Sequence, residues 1–545
     1  MGLMTGAQAV VQALKQNGIR TIFGLPGVQL DNIFDALYDE RDSIQVLHSR
    51  HEQGAAYMAY GYAESTGRPG AFLVVPGPGL LNTCTALCTA RASNAPVLAL
   101  TGQIATRFIG RGLGILHEIP DQAGMLSHVT KHQVFADTPG AVPGAIAETL
   151  RTAISGRCGP VLFEIPEDVT AQRGEVGSMA PVSRDPDPVP DPDLIEKAAQ
   201  ILGKAQRPAI FVGGGAYGAE EVLLEVAKML EAPVIMTRHA RGAVSDRNYL
   251  AQTLMGGHKL WPDVDAVLVV GSRFLEGGMQ WGLDPNIKTI RLDIDPIQGE
   301  QPVSADVKIV TSARVGMTAL AAALGRHNRK RASREAELND VKRAALEKLA
   351  ALEPQKSYSD VIRSILPDDG ILVAEITQVG FYTWMGYPAY APRTLIYPGF
   401  QDSLGYGYAT ALGVKAAHPD RPVVAICGDG GFMFTMPELA TAVQHGINLV
   451  AIVFNDGAFG NVRRTQKQSF KERYIGSDLR NPDFVALAKA FGALGMRAKS
   501  PAELKTVLPE ALKANAPVLI EVQVGPMPPW QALMPRTPAR AARAS

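Results

Sequence analysis

The sequence predicts an α/β protein with three consecutive domains, each built on a mainly parallel sheet covered by helices. Short runs of β-branched and other apolar residues alternate with longer helical patterns along the whole chain, which is typical of parallel sheets buried on both faces. At 545 residues the chain is too long for a single hydrophobic core. Two segments divide it, a Pro- and Asp-rich linker at 180–193 and a charged helical pattern at 326–354.

The first predicted domain spans residues 1–180. Its helical patterns include residues 6–18 and 52–66. Its strands are short apolar runs that end in Gly, Pro or a polar residue, and they lie at residues 20–27, 43–50, 70–77, 95–103 and 159–169.

The second and third predicted domains span residues 191–325 and 355–530, and both repeat the alternation. The strands of the second domain are predicted at residues 207–216, 232–238, 265–273 and 289–296. Those of the third are predicted at residues 370–376, 394–399, 421–430, 448–456 and 516–524. Residues 531–545 are rich in Pro, Arg and Ala and predict an arm or a loose tail.

The composition argues against several classes of protein. Lys plus Arg and Asp plus Glu number 53 each, so the charge balance gives no reason to expect nucleic acid or an acidic membrane surface as a partner. No apolar run reaches the roughly 18 to 20 residues of a membrane helix, and the polar N-terminus does not resemble a signal peptide. The four cysteines are irregularly spaced, which favours reduced thiols over a zinc site. We expect a soluble, cytoplasmic protein.

Two consecutive strands of the third domain end on polar groups among glycines. One ends in Gly428-Asp429-Gly430 and the next ends at Asn455. Ligands of parallel sheets collect at the carboxyl ends of the strands, and the 24 residues between Gly430 and Asn455 suffice for a helical return. We therefore expect Asp429 and Asn455 to lie side by side. A carboxylate, an amide oxygen and a backbone carbonyl suit Mg²⁺ together with phosphate oxygens, so the pattern predicts a magnesium–diphosphate anchor.

This spacing resembles the fingerprint of the thiamine diphosphate (ThDP) enzymes, in particular the group of acetolactate synthase large subunits, pyruvate oxidases and benzoylformate decarboxylases. The stretches "IFGLPGVQLDNIFDAL" at 22–37 and "HEQGAAYMA" at 51–59 also match that group. The resemblance implies pyrimidine-binding and diphosphate-binding domains that flank a central Rossmann-like domain. It implies ThDP and Mg²⁺ as cofactors, with Glu52 as the catalytic glutamate that acts on the pyrimidine ring. In the family that glutamate comes from a neighbouring subunit, which implies a homodimer or homotetramer with active sites at the subunit interface.

The resemblance also implies roles for residues around the cofactor. Leu404 stands where the family has the bulky side chain that keeps the cofactor bent. The main-chain carbonyl of Asp402 would accept a hydrogen bond from the pyrimidine amine, and Ser403 lies between these two residues. The remaining cofactor contacts are expected from Thr377, Gln378, Gly428, Gly430, Gly431 and Asn455. The cation ligands are expected to be Asp429, Asn455 and Gly457.

Residues on the substrate side are less closely matched to the family. His117 lies in the polar segment "LHEIPDQ", where we expect substrate binding or proton transfer, and Gln29 is expected to contact substrate. The chain has no His-His pair, and Val28 and Val75 stand where benzoylformate decarboxylase-like enzymes have a serine and a histidine. These absences favour decarboxylation of a 2-oxo acid followed by carboligation to a second carbonyl, as in acetolactate synthase. Simple decarboxylation and 2-hydroxyacyl lyase activity stay open.

The central domain begins with a glycine cluster, "FVGGGAYGAEEV" at 211–222. In isolation it predicts a dinucleotide-binding turn, but it lacks a clean Gly-x-Gly-x-x-Gly followed by a ribose-binding acid. Arg238, Arg241 and Arg273 follow strands and could meet a diphosphate, so FAD stays open as a ligand. A nicotinamide-dependent oxidoreductase would leave Glu52 and the predicted cation anchor unexplained. Their presence also argues against a non-catalytic binding protein of the same fold.

Overall fold

The structure is a computed structural model that describes residues 2–540, and it confirms the predicted α/β architecture of three domains. Across these residues each domain has a six-stranded parallel sheet covered by helices. None of the helices in the described range is long and apolar enough to cross a membrane.

The N-terminal domain has a sheet in the order β3-β2-β4-β5-β7-β6, and β1 pairs antiparallel with β8 outside it. Its strands are β1 (Gly2–Thr5), β2 (Thr21–Gly24), β3 (Gln45–His48), β4 (Gly70–Val74), β5 (Val97–Gln103), β6 (His132–Phe135), β7 (Val161–Pro166) and β8 (Arg173–Val176). Its helices are α1 (Gly6–Gln16), α2 (Asp31–Asp39), α3 (Glu52–Thr66), α4 (Pro78–Asn82), α5 (Cys84–Ser93), α6 (Gln122–Leu126), α7 (Val142–Ile154) and α8 (Glu167–Ala171).

The central domain has a sheet in the order β11-β10-β9-β12-β13-β14. Its strands are β9 (Pro208–Val212), β10 (Val234–Met236), β11 (Ala251–Gln252), β12 (Ala266–Val270), β13 (Lys288–Asp293) and β14 (Val307–Val310). Its helices are α9 (Pro192–Lys204), α10 (Glu220–Leu230), α11 (Leu254–Leu260) and α12 (Ala313–His327), and α13 (Glu335–Leu349) leads to the next domain.

The C-terminal domain has a sheet in the order β16-β15-β17-β18-β20-β19. Its strands are β15 (Ile371–Ala374), β16 (Leu395–Ile396), β17 (Val423–Gly428), β18 (Val450–Asn455), β19 (Leu494–Ala498) and β20 (Val518–Gln523). Its helices are α14 (Gln355–Ile365), α15 (Gln378–Gly386), α16 (Gly407–Ala417), α17 (Asp429–Thr435), α18 (Glu438–Gln444), α19 (Gly460–Ser469), α20 (Phe484–Ala490) and α21 (Pro501–Lys513).

Each apolar run that the sequence assigned to a strand contains one, whereas several short strands were missed. The missed strands β6, β11, β14 and β19 all lie at the edge of a sheet. An edge strand has a neighbour on one side only, so its sequence can be shorter and more polar than that of a central strand. The other two missed strands, β1 and β8, form the separate antiparallel pair.

Helix α3 packs along α16, and this contact joins the N- and C-terminal domains into one hydrophobic core. The backbones approach closely, because a Cβ added to Gly61 would lie 2.1 Å from the carbonyl oxygen of Thr410. Since α3 begins at Glu52 and α16 begins just after Leu404, the packing fixes the positions of two predicted cofactor regions relative to each other.

The C-terminal segment is not a loose tail over the part that the structure describes. Trp530 stacks on Phe381, with ring centroids 4.0 Å apart. Further along, the indole nitrogen of Trp281 donates to the Pro535 carbonyl at 2.6 Å, and Arg540 Nε donates to the Trp261 carbonyl at 2.8 Å. The composition of this segment predicted an arm or a loose tail, and these contacts make its described part an arm that packs on the rest of the protein. Residues 541–545 lie outside the described range.

Candidate active site

The predicted cation ligands Asp429 and Asn455 meet at the carboxyl ends of the neighbouring strands β17 and β18. Both are buried, with 2% and 8% of their surface exposed. Asp429 Oδ2 and Asn455 Oδ1 accept hydrogen bonds from the same two donors. These are the Gly457 N–H, at 3.0 and 3.2 Å, and the side-chain nitrogen of Asn481, at 2.6 and 3.0 Å. The two oxygens therefore face the same small region of the structure.

A second carboxyl group lies beside this pair. Burial raises the pKa of Asp456 to about 6; the Gln378 amide opposes the shift, and the charge of Asp429 adds to it. Burial also raises the pKa of Asp429, against hydrogen bonds from Asn481 and Gly457. A divalent cation would stabilise both carboxylates in their charged form. The oxygen donors present here suit a hard cation such as Mg²⁺.

Gly457, the third predicted cation ligand, lies next to these oxygens with a φ of +65°. It donates its N–H to them, while its carbonyl accepts the N–H of Leu479 at 2.7 Å. Residues 477–481 thus lie over the anchor, and Phe459 donates its N–H to the Ser477 carbonyl at 2.8 Å in the same region. The Gly457 carbonyl has a second lone pair, which remains available for a cation.

A buried glutamate holds the two cofactor loops together. Glu375, 1% exposed, accepts the N–H groups of Gly405 at 3.0 Å, Gly407 at 3.3 Å and Gly428 at 3.2 Å. Burial raises the pKa of Glu375 to about 7, although these hydrogen bonds lower it. A Cβ added to Gly431 would lie 2.4 Å from the carboxyl group, so the first turn of α17 also packs against it. One carboxyl group therefore connects the loop before α16 to the end of β17.

The residues predicted to contact the pyrimidine and the bend of the cofactor, Asp402, Ser403 and Leu404, form the loop before α16. Asp402 has a φ of +44°, a left-handed conformation that residues other than glycine rarely adopt. Its carboxylate lies 3.3 Å from Arg238 of the central domain. The Ser403 hydroxyl accepts a hydrogen bond from the Tyr57 hydroxyl of the N-terminal domain at 3.0 Å. Contacts with both other domains therefore hold the loop that contains Leu404.

Of the residues predicted to line the diphosphate, Gly430 and Gly431 lie in the first turn of α17. Thr377 is buried and lies against Gly428, since a Cβ added there would be 3.5 Å from Thr377 Oγ1. The Gln378 side chain is engaged by the protein, because its nitrogen donates to the Gly525 carbonyl at 2.8 Å and its oxygen accepts from the Gln355 amide at 2.8 Å. Its backbone N–H, at the start of α15, is the group that remains for a ligand.

The predicted catalytic glutamate lies in the N-terminal domain. Glu52 is the first residue of α3 and is partly exposed at the carboxyl edge of the sheet. Its Oε2 accepts a hydrogen bond from the side-chain nitrogen of Asn82 at 3.0 Å. Asn82 ends α4, which follows the glycine-rich turn after β4. One oxygen of the Glu52 carboxylate is therefore held within the domain.

Gln29 and His117 form a hydrogen-bonded pair near the same edge. His117 Nδ1 lies 2.8 Å from Gln29 Oε1, and the Gln29 nitrogen donates to the Leu116 carbonyl at 3.0 Å. Because the amide oxygen can only accept, Nδ1 donates, and in the neutral ring Nε2 is left as an acceptor. His117 has a φ of +68°, so a strained loop presents this pair.

The two halves of the predicted site lie in different domains. Within the described residues no hydrogen bond or ion pair joins Glu52 to Asp429, Asn455 or Leu404. Large apolar side chains are exposed near both halves. Near the first half these are Val28, Leu113 and Leu116, and near the second they are Phe400, Met433, Phe434 and Val462.

A candidate binding site separate from the predicted active site lies where the three domains meet. A cavity of about 560 Å³ is lined by the glycine turn at 213–215 and by arginines from each domain, including Arg157, Arg273 and Arg393. The buried Nε2 of His239 is on its wall and has no hydrogen-bond partner in the described part of the chain. A concave, cationic cavity with a glycine turn suits a nucleotide that carries a diphosphate.

Two of the three arginines that the sequence analysis proposed as diphosphate contacts line this cavity. Arg238 and Arg273 line it. Arg241 does not, because its side chain is 2% exposed and is paired with Asp246 at 2.5 Å. It also donates to the Tyr387 carbonyl at 2.8 Å, so its role is to join the central and C-terminal domains.

Sequence comparisons agree with this arrangement. Three family profiles match the chain in the order of its domains. They are described as thiamine pyrophosphate enzyme, N-terminal TPP binding domain, at residues 4–125, central domain, at 195–320, and C-terminal TPP binding domain, at 375–522. A probable acetolactate synthase large subunit of Methanocaldococcus jannaschii is 32% identical, with 96% of this chain and 92% of the relative aligned. The chain belongs to the thiamine pyrophosphate enzyme family.

Other members of this family match equally well. An acetolactate synthase of Arthrospira platensis is 33% identical over 96% of this chain and 94% of its own length. A probable 2-ketoarginine decarboxylase of Pseudomonas aeruginosa is 32% identical over 95% and 94%. Thiamine pyrophosphate is another name for ThDP, so the prediction of ThDP as a cofactor, the ThDP-dependent enzyme class and the three-domain architecture are confirmed.

Four polar residues of this ThDP enzyme were missed by the sequence analysis. Asp456 stands between two predicted ligands, and Glu375 lies next to the last residue of a predicted strand, so both could have been found as further strand-end residues. Asn82 follows the glycine-rich turn after β4, which is a weaker signal of the same kind. Asn481 follows no strand, and only the return of residues 477–481 over the anchor places it there.

We expect Glu375 to make stability depend on pH. The folded-state pKa of about 7 lies above the ordinary glutamate value of 4.5, so between these values the folded protein keeps a proton that the unfolded chain has lost. The free energy of unfolding of the wild type should therefore fall as pH rises through this window, by up to about 1.4 kcal/mol per pH unit relative to Glu375→Gln. Urea unfolding of both cofactor-free proteins across this window measures the difference. Parallel pH profiles would contradict the assignment.

Proposed function

We propose that this ThDP enzyme decarboxylates a 2-oxo acid with Mg²⁺ as its second cofactor and joins the remaining fragment to a second carbonyl compound, as acetolactate synthases do. The convergence of Asp429 Oδ2 and Asn455 Oδ1 on shared donors carries the proposal, because two such neighbouring oxygens would suit a cation that binds a diphosphate. The relatives named as acetolactate synthases, and the absence from the sequence of the decarboxylase histidines, support the ligation step. The predicted cytoplasmic location stays a prediction.

Each group of residues has a distinct task in this proposal. When bound, ThDP supplies a thiazolium ring that accepts the electron pair left by the loss of CO₂. Asp429, Asn455 and the carbonyl of Gly457 would hold Mg²⁺, and backbone N–H groups around Gly428 would bind the diphosphate. Glu52 would exchange a proton with a pyrimidine nitrogen, while Asn82 holds its second oxygen.

The Gln29–His117 pair is suited to the substrate side of the site. Gln29 fixes the ring so that His117 Nε2 is an acceptor when the ring is neutral and a donor when it is charged. We infer that this nitrogen binds the substrate carbonyl or moves the proton that accompanies ligation. The exposed Val28 and Leu116 beside the pair would supply an apolar wall.

A decarboxylase that releases an aldehyde without ligation is the second candidate. The probable 2-ketoarginine decarboxylase matches this chain as closely as the synthases do. A lyase that splits 2-hydroxyacyl compounds would use the same groups in reverse. The difference lies in whether a second carbonyl compound has room beside the cofactor, which product analysis can test.

We expect the purified enzyme with ThDP and Mg²⁺ to form a 2-hydroxy ketone or 2-hydroxy-3-oxo acid when given a 2-oxo acid and a second carbonyl compound. A panel of short, branched and basic 2-oxo acids, each with and without an aldehyde acceptor, would be followed by NMR of the products. The Glu52→Gln variant serves as the inactive control. Aldehyde and CO₂ alone would favour the decarboxylase, and no turnover of any 2-oxo acid would contradict both proposals.

We infer that the active sites lie between two copies of the chain. The apolar side chains exposed near both half-sites and the lack of contacts from Glu52 to the cation anchor within the described residues support this inference. Burial of such surfaces is the main favourable term in stable association. A homodimer with two equivalent sites is the smallest assembly that meets the requirement, and a homotetramer would contain two such pairs.

Hybrid dimers test this arrangement directly. Glu52→Gln should bind ThDP but not turn over, and Asp429→Ala should lose Mg²⁺-dependent retention of ThDP. If both variants are co-expressed with different affinity tags, the isolated hybrid carries one intact site, formed by Glu52 of one chain and Asp429 of the other. We expect about half of the wild-type activity per dimer. An inactive hybrid of two folded chains would place both residues in the same subunit's site.

We also propose that the cavity at the junction of the three domains binds an adenine nucleotide, with FAD as the first candidate. Its arginines, glycine turn and unpartnered His239 nitrogen fit such a ligand. Protein purified without added nucleotide should show a flavin absorption spectrum, and heat should release flavin in a ratio near one per chain. Arg273→Ser, which removes a cavity arginine, should lower that ratio, whereas Arg326→Ser on the surface should not. A colourless protein that retains neither FAD nor ADP would contradict the proposal.

A further inference from the structure

Glu438 joins the C-terminal domain to the start of the helix that carries Glu52. It is the first residue of α18 and is 1% exposed. Its Oε1 accepts the backbone N–H of His51 at 3.1 Å. Its two oxygens also lie 3.2 and 3.0 Å from the backbone nitrogen of Arg50. Thr441 Oγ1 donates to Oε2 at 2.5 Å and so fixes the carboxylate from its own side. A buried carboxylate with this many donors is held in one orientation.

Glu438 accepts hydrogen bonds from the backbone N–H groups of the residues directly before Glu52. The first N–H groups of a helix have no partner within it, and a carboxylate at this end is favoured by the helix dipole. Here His51 is the N-cap residue of α3, and the additional carboxylate comes from a residue 387 positions away. A Cβ added to Gly54 would lie 2.2 Å from Glu438 Oε1, so the first turn of α3 can approach the carboxylate only with glycine at that position.

The same segment has further contacts with α18. The Arg50 guanidinium donates to Gln444 at 2.7 Å, and the His48 N–H donates to the ring of His445 at 3.1 Å. Residues 48–51 therefore lie along α18 over its whole length. Among these contacts, only that with Glu438 combines a buried carboxylate with the backbone groups next to Glu52.

We propose that Glu438 is a positioning residue for Glu52, because it fixes the point at which α3 begins and thereby the place where the Glu52 carboxylate meets the cofactor. The inference rests on the proposed function, in which Glu52 exchanges a proton with the pyrimidine. Proton exchange is sensitive to small displacements of the reacting groups, since donor and acceptor must be within hydrogen-bond reach.

The position of Glu438 also links the two active sites of the proposed dimer. Helices α17 and α18 follow each other directly, so Asp429 and Glu438 begin consecutive helices of one packed unit. Asp429 anchors the cofactor of one site, whereas Glu52 of the same chain serves the other site.

The test uses the C2 proton of bound ThDP. Glu438→Gln is nearly isosteric but replaces one acceptor oxygen with a nitrogen that cannot accept an N–H. We expect it to bind ThDP and Mg²⁺ within about threefold of the wild type and to slow C2 exchange, measured by NMR after rapid acid quench, by at least about tenfold. In the double variant with Glu52→Gln the two effects should not add, because both act on the same carboxylate.

Three controls separate this role from a merely structural one. Glu503→Gln removes a glutamate that accepts an N–H at the exposed start of α21, and it should leave exchange unchanged. Glu438→Asp keeps the negative charge but places the carboxylate farther from the backbone N–H groups, so it should also slow exchange. It replaces Glu438→Gln in the test if the Gln variant does not fold. The melting temperature and the Kd for ThDP are measured for every variant.

The outcomes distinguish the two proposals. Normal exchange in folded Glu438→Gln and Glu438→Asp, with slow exchange in Glu52→Gln, would overturn the role of Glu438 alone. Weaker ThDP binding with normal exchange of the bound fraction would assign Glu438 to stability and likewise overturn it. Normal exchange in Glu52→Gln, or no ThDP binding by the wild type, would overturn the proposed function and this inference together.

Discussion

The site depends on the pairing of two neighbouring parallel strands. The register places Gly428 opposite Phe454, so the next residues on each strand, Asp429 and Asn455, leave the sheet at the same level. Both side chains are then buried together, and an isolated buried carboxylate is unfavourable by several kcal/mol unless hydrogen bonds or a cation compensate it. Their convergence is therefore a constraint on the whole edge of the sheet. The glycines around them, the return of residues 477–481 and the raised pKa values of Asp429 and Asp456 follow from it.

Buried carboxyl groups hold the surrounding loops in a consistent way. Glu375 accepts three backbone N–H groups from two cofactor loops, and Glu438 accepts two from the segment before Glu52. In each case a side chain from one part of the fold satisfies backbone donors of another part that would otherwise be buried without partners. Loops with little regular structure thereby acquire fixed positions. Precise placement of this kind is what a reaction that moves protons between fixed groups requires.

The contact between α3 and α16 determines which predicted site residues lie together within one chain. It joins the pyrimidine-binding and diphosphate-binding domains of one chain in a shared core, yet it leaves Glu52 without a contact to the cation anchor within the described residues. Apolar side chains are exposed near both groups of predicted site residues, which supports the proposed site between two chains. The central domain contributes through Arg238, which is paired with Asp402, and through the cavity at the junction of the three domains. Arg241 and the segment around Trp530 hold these domains together.

The sequence by itself determined the class of fold and the central strands, because these depend on local apolar patterns, and it predicted that Asp429 and Asn455 stand at neighbouring strand ends. It also determined the family, through motifs at Asp429, Asn455 and Glu52. Only the tertiary structure decided which polar groups meet across the chain. Asn481 and Glu438 reach their partners from distant segments, the Gln378 side chain is used within the protein, and Arg241 is in an ion pair. Such contacts depend on how complete domains pack, and no local pattern of residues encodes that packing.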